Sequence, residues 1–254
     1  MFGCLPSPMP HPSDCSPRPP GDFADALATP EPVLLVGGQA INLWALYYEN
    51  RTKNLAPFVS RDVDVLGDRQ TLTELAKVIG AKAQFFPLKP PTNEIGVVVA
   101  HDRAGQPLLI EVLRTVHGVS NEELHASAFT MAIGANQVKV QVPEPIALLK
   151  AKIANVSDIS QGGRQDGRHV LILFQLIPAF LSDLISATTA GRIPERDLVN
   201  RLEFLLATIT SANARKVLTS LRLEPRSLFQ ELSAGSLTKV AAFLEKRLPR
   251  VLGT

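Results

Sequence analysis

The spacing of apolar positions changes once along the chain, at Pro145. Before it, short apolar and β-branched runs alternate with turn residues, as strands do. After it, apolar residues recur about every 3.6 positions, as on helices. Residues 33–36 are an apolar run that reads as a buried strand ended by Gly37-Gly38, and residues 39–49 place Ile41, Leu43, Trp44, Ala45, Leu46 and Tyr48 at the spacings of a packed helix. Residues 60–66, Ser-Arg-Asp-Val-Asp-Val-Leu, alternate with period two and predict a strand with one buried face. Residues 22–28 and 69–79 suit helices and 83–86 a short strand. Residues 95–100 and 108–113 should pair antiparallel about the turn residues 101–107, and 129–133 with 138–142 form a further hairpin. Beyond Pro145, residues 146–156, 168–186, 195–208, 213–221 and 236–248 suit amphipathic helices, with Pro194 and Pro225 at natural boundaries. The pattern predicts an α+β body with a mixed sheet and flanking helices, followed by an all-helical C-terminal lobe. No repeat of 20–50 residues underlies it.

Composition sharpens the boundaries. The first twenty residues are rich in proline and small polar residues and lack the apolar core of a secretory signal, which predicts a disordered tail over 1–20, an α+β domain over 21–143 and a helical lobe over 144–254. Both cysteines, Cys4 and Cys15, fall in the predicted tail, so the expected folded body has no thiol for a disulfide or a cysteine metal site, and a reducing cytoplasm is the expected location. The longest apolar run, 170–181, is interrupted by Gln175 and Pro178, so no membrane role is expected. Net charge is only +2 but unevenly spread: from residue 190 onward eleven Lys/Arg face six Asp/Glu, against fourteen and seventeen over 21–189. A basic lobe beside a carboxylate site suits a polyanionic ligand such as RNA or a nucleotide, although solvated helix faces account equally well for any single charge.

The chemistry concentrates on one strand. Asp62 and Asp64, at i and i+2, point to the same side, and two adjacent carboxylates repel unless a cation lies between them. Oxygen-only ligands favour Mg²⁺ or Mn²⁺, which share their remaining coordination positions with water and substrate phosphates. Glu111, within Leu-Ile-Glu-Val-Leu, is the candidate third carboxylate, because charge is depleted inside such a strand; an edge-strand glutamate facing water is the alternative. Gly37-Gly38, between a buried strand and a helix, lets backbone amides approach a phosphate at the helix N-terminus, though two glycines also end strands for conformational reasons alone.

An apolar strand, Gly37-Gly38, a helix and then Ser60-Arg61-Asp62-Val63-Asp64 resembles the DNA polymerase beta nucleotidyltransferase superfamily, in which a glycine turn precedes an Asp-x-Asp strand and a third acidic residue comes from a later strand. More narrowly, the chain resembles the AbiEii-type nucleotidyltransferases, whose toxin members belong to toxin-antitoxin systems. There a Thr/Ser-x-Asp-x-Asp motif is followed by a lysine-bearing helix and a Lys-Asp-x-x-Asp segment. Ser60, Asp62 and Asp64 match the first motif, Lys150 or Lys152 the helix lysine, and Asp166 the first aspartate of the last segment; Gln165 and His169 stand where that segment has lysine and the second aspartate.

The resemblance implies a metal-dependent nucleotidyltransferase moving a nucleoside monophosphate from an NTP to a hydroxyl on RNA, protein or a small molecule. Asp62, Asp64 and Glu111 would be catalytic and hold Mg²⁺ or Mn²⁺, Gly37, Gly38, Ser60, Lys150 and Asp166 would face the nucleotide, and an antitoxin would be a possible partner. The departures at Gln165 and His169 also fit a catalytically silent member used as a binding or regulatory module. An antibiotic-modifying nucleotidyltransferase would keep the same metal site but needs an acidic acceptor groove, against which the basic C-terminal lobe argues. Trp44, Tyr47 and Tyr48 suit base stacking, but at helical spacing Trp44 and Tyr48 fit the core better, and His169 fits a buried partner of a carboxylate better than an acid or base.

Overall fold

The computed structural model describes residues 15–87, 89, 92–102 and 104–253. It is an α+β protein in which seven strands form one mixed sheet in the order β3-β4-β5-β2-β1-β7-β6. The strands are β1 (Leu34–Val36), β2 (Asp62–Leu66), β3 (Gln84–Phe85), β4 (Glu94–His101), β5 (Pro107–Leu113), β6 (Ala128–Ile133) and β7 (Val138–Pro143). The helices are α1 (Gly37–Tyr47), α2 (Glu49–Thr52), α3 (Arg69–Ile79), α4 (Asn121–Ala126), α5 (Pro145–Asp158), α6 (Asp166–Thr189), α7 (Glu195–Thr210), α8 (Ala212–Ser220), α9 (Thr238–Ala242) and α10 (Leu248–Leu252). Two compact units result: one of residues up to Asn42 with Phe58–Thr115 and Ala128–Val142, the other of Leu43–Pro57, Val116–Ser127 and Pro143–Thr254. The second unit takes in the chain from Pro143 onward together with the two earlier segments Leu43–Pro57 and Val116–Ser127.

In the first unit β2 is the central strand, antiparallel to β1 and parallel to β5. Its alternation is realised as predicted: Val63 and Val65 are buried, while Asp62 and Asp64 on the other face are partly open. β4 and β5 form the antiparallel pair that their sequences imply, and helix α3, capped at Asp68 and ended by Gly80 in the left-handed region, packs on β4.

In the second unit α5 packs along α6 and also against α7 and α8, burying Ile146, Leu149, Ile172, Leu173 and Leu176. The expected last helix, 236–248, is broken into α9, a π turn over Phe243–Arg247, and α10. Helix α4 is absent from the sequence-level expectation, although Ser120 and Glu123 form a reciprocal capping box at its start.

One expectation is overturned. Residues 15–20 are not a disordered tail: Cys15 is buried against Val97 and Leu109, and Arg18 makes an antiparallel bridge with Ser60, so the folded body does contain a thiol. The apolar stretch 170–181, read from the sequence as too interrupted for a bilayer, lies within α6. At 24 residues the helix is long and apolar enough to cross one by length and composition, yet its apolar positions are largely buried as the core of the second unit. The remainder of the predicted tail, residues 1–14 with Cys4, lies outside the described residues.

Candidate active site

The site grows out of the register of three strands. β2 and β5 run parallel with Asp64 opposite Glu111, while β1 runs antiparallel to β2 with Val36 opposite Asp64. Paired residues of neighbouring strands share a face, so Asp64 and Glu111 stand side by side and Asp62 follows two residues along. β5 lies between β4 and β2, which removes the edge-strand explanation for Glu111. Its carboxyl is half-buried beside Asp64 and Asp62. Burial first, then the charges of Asp64, Asp62 and Glu94, push it up to about 8.

Because β1 ends opposite Asp64, the chain enters α1 directly over that aspartate. Gly37 takes φ +64° there, and a Cβ built on it would lie 1.8 Å from Asp64 Oδ2. The glycine is required twice: for its left-handed backbone and for the room that the carboxylate occupies. Gly38 is buried in the first turn of α1. Ser60 Oγ donates to Asp62 Oδ1 at 2.9 Å, so the serine of the Ser-x-Asp-x-Asp pattern orients the first aspartate. Gly37, Gly38, Ser60, Asp62, Asp64 and Glu111 all belong to the first unit.

Among the described residues, no group of three or more His, Cys, Asp or Glu side chains is placed to hold a metal ion together. The acidic trio is a row of neighbours on two strands. That donor set still fits a hard divalent cation, since Mg²⁺ is typically bound by one or two carboxylates together with waters and substrate phosphates rather than by an all-protein cage.

Lys150 and Asp166 belong to the second unit and take separate partners there. Lys150 Nζ lies 2.7 Å from Glu123 Oε1 and 5.2 Å from the centre of the Phe204 ring. It is Lys152, also weighed for the lysine-helix position, that reaches Asp166, at 2.7 Å; Arg164 Nε donates to the other Asp166 oxygen at 2.6 Å. Burial opposes ionisation of Asp166, but Lys152 and Arg164 outweigh it and hold the carboxyl down at about 2. His169, one turn along α6, is buried; desolvation and then Lys152 lower it to about 3, so it is neutral at ordinary pH. Trp44 and Tyr48 are core residues, donating to Pro143 O at 2.8 Å and to Asp183 at 2.7 Å, while Tyr47 is exposed.

Sequence reasoning missed Gln39 and Arg18. Gln39 is buried in the first turn of α1 and donates from Nε2 to the Arg18 carbonyl at 2.9 Å. A glutamine placed directly after Gly37-Gly38, in an otherwise apolar helix, was the signal available for the first; a lone arginine among prolines offered none for the second.

No family model and no curated protein matches the chain. Among solved structures it is similar to an antigenic nucleotidyltransferase-like protein from Paracoccidioides brasiliensis, with 16% identity and a TM-score of 0.40 over 81% of this chain and 88% of that one.

Proposed function

We propose that the chain is a metal-dependent nucleotidyltransferase that uses the Asp62, Asp64 and Glu111 face of the first unit. The observation that carries the reading is the in-register pairing of Asp64 with Glu111, with Asp62 beside them and Gly37 pressed onto Asp64. Like charges side by side on a half-buried strand face repel, a cost that a cationic ligand relieves. The resemblance of Ser60-x-Asp62-x-Asp64 to the AbiEii-type motif narrows the reading to that group.

A divalent cation supplies charge neutralisation to the two aspartates and to the triphosphate of an NTP. Asp62 and Asp64 would hold it, and Ser60 keeps Asp62 oriented. The amides of Gly37 and Gly38, at the N-terminus of the eleven-residue α1, would supply positive potential to phosphate oxygens bound at the acidic face. In transfer, the acceptor hydroxyl oxygen bonds to the α-phosphorus, the bond from that phosphorus to its bridging oxygen breaks so that pyrophosphate departs, and the hydroxyl proton passes to Glu111 in its ionised form.

The test is calorimetric binding of each NTP with and without Mg²⁺ or Mn²⁺, for the wild type and for Asp62→Ala/Asp64→Ala. Metal-dependent binding that the double variant loses supports the reading and warrants an acceptor screen with labelled nucleotide. Folded wild type that binds no NTP with either ion overturns it. A second reading, nucleotide binding without transfer, draws on the engagement of Lys150 by Glu123 and of Asp166 by Lys152 and Arg164. Binding in calorimetry with no label transferred to any acceptor favours it.

A further inference from the structure

We infer that the peptide group of Arg18 is a positioning junction that ties the glycine turn to the acidic strand and so sets the orientation of Asp62. Three elements of the first unit meet there. The Arg18 N–H donates to Ser60 O at 2.7 Å, and Ser60 N–H donates back to Arg18 O at 3.0 Å. The same Arg18 carbonyl accepts from Gln39 Nε2 at 2.9 Å, and Gln39 sits two residues after Gly37. Its amide orientation is fixed from the other side, because Gln39 Oε1 accepts from Asn42 Nδ2 at 3.2 Å and leaves Nε2 to face Arg18. Gln39 and Asn42 are both buried, so a lost partner would not be replaced by bulk water.

From Ser60 the chain of contacts continues to the site through Ser60 Oγ and Asp62 Oδ1, 2.9 Å apart. The segment carrying Arg18 is held at two further points: Cys15 is buried against Val97 and Leu109, and the Arg18 guanidinium reaches Asp102 Oδ2 at 2.7 Å and Asp22 Oδ2 at 3.6 Å. Asp102 is itself anchored by the Ala104 and Gln106 amides, each at 2.8 Å. Gly37 therefore meets Asp64 by direct contact, and the first turn of α1 meets Asp62 through Gln39, Arg18 and Ser60. Hydrogen bonds behind a ligating carboxylate typically change metal affinity about 10- to 100-fold when removed. Gln39 and the Arg18 peptide are thus positioning groups, acting on the site through Ser60; this role toward a metal rests on the function proposed above.

The experiment uses the full-length chain and the variants Gln39→Met, Ser60→Ala and Ser60→Thr, with two readouts: Mn²⁺ affinity by titration, and hydrogen exchange of the Arg18 and Ser60 amides. Gln39→Met keeps the side-chain length without the donor. It is expected to speed exchange at both amides and weaken Mn²⁺ about tenfold. Ser60→Ala should weaken Mn²⁺ comparably while leaving Arg18 exchange slow, and Ser60→Thr should recover most of the affinity. Wild-type exchange and affinity in Gln39→Met overturn the junction. If Gln39→Met does not fold, wild-type Mn²⁺ affinity in Ser60→Ala overturns it instead. If the wild type binds no Mn²⁺, the metal reading falls separately and exchange alone decides: faster exchange in Gln39→Met upholds the coupling, and unchanged exchange removes it.

Discussion

Gly37 and Asp64 occupy space that only a glycine and a carboxylate share: a Cβ on Gly37, at φ +64°, would stand 1.8 Å from Asp64 Oδ2. The glycine turn is thereby part of the acidic site and not merely the end of β1.

Gly37→Ala is expected to displace the Asp64 carboxylate and abolish metal-dependent nucleotide binding. Gly80 is the matched control, since it has φ +70° and a methyl group added to it would meet nothing within 4 Å. Gly80→Ala should lose only the left-handed backbone term, about 1–2 kcal/mol, in urea unfolding. Gly37→Ala should lose that and a further clash term. Equal losses in the two variants would refute the steric account.

Glu111 ties stability to pH in a defined direction. Its folded-state carboxyl is raised from 4.5 to about 8 by burial and by Asp64, Asp62 and Glu94, so the folded protein holds that proton more tightly than the unfolded chain. The stability attached to the protonated form is complete below pH 4.5 and is lost as pH rises through about 8. Glu111→Gln should therefore stabilise the ion-free protein at pH 8, by roughly 1–3 kcal/mol after allowance for solvent screening, while removing activity. Unfolding curves at pH 5 and pH 8 check it: the gain should shrink toward pH 5.

The same proton gives the metal reading an independent signature. A cation held by Asp62 and Asp64 favours the ionised form of Glu111 beside them, so Mn²⁺ affinity should climb between pH 6 and about 8 and each binding event should release up to one proton near pH 7. Calorimetry in two buffers of different ionisation enthalpy counts that proton. Glu111→Gln should release none.

How much of this was legible depends on whether the cause was local. Asp62 and Asp64 on one face of a strand follow from period two, and Glu111 stood out as a charge within an apolar strand. Their adjacency did not: which strands pair, and that β5 lies parallel to β2 with Asp64 opposite Glu111, is decided by long-range packing that no local pattern records. Arg18 was hidden for the same reason. Its proline-rich surroundings read as a tail, while its order comes from Ser60, Gln39 and Asp102, at least 21 residues away. The Ser120–Glu123 capping box was readable, but the six-residue helix it starts has too few positions for periodicity to show. At the lysine helix, both Lys150 and Lys152 suited the motif, and only the fold separates the half-exposed lysine paired with Glu123 from the buried one paired with Asp166.

That buried pair supports the last prediction. Lys152 and Asp166 have side chains only 9% and 3% exposed, and Arg164 adds a second bond to Asp166 from a more open position. Breaking a buried pair from one side strands a charge, so Lys152→Met should destabilise the protein by about 3–5 kcal/mol, although Arg164 softens the loss. Lys152→Met/Asp166→Leu should recover most of it, because apolar groups of similar volume commonly replace a buried ion pair with little penalty. The pH dependence has a fixed sign: Asp166 is held at about 2, below its ordinary 3.8, so its contribution is present above pH 3.8 and disappears as pH falls through 2. Urea unfolding of the wild type, both single variants and the double variant between pH 2 and 7 measures this coupling. If Lys152 and Asp166 prove additive, with no excess loss in either single variant, the pair is not the fastening between α5 and α6 that its geometry describes.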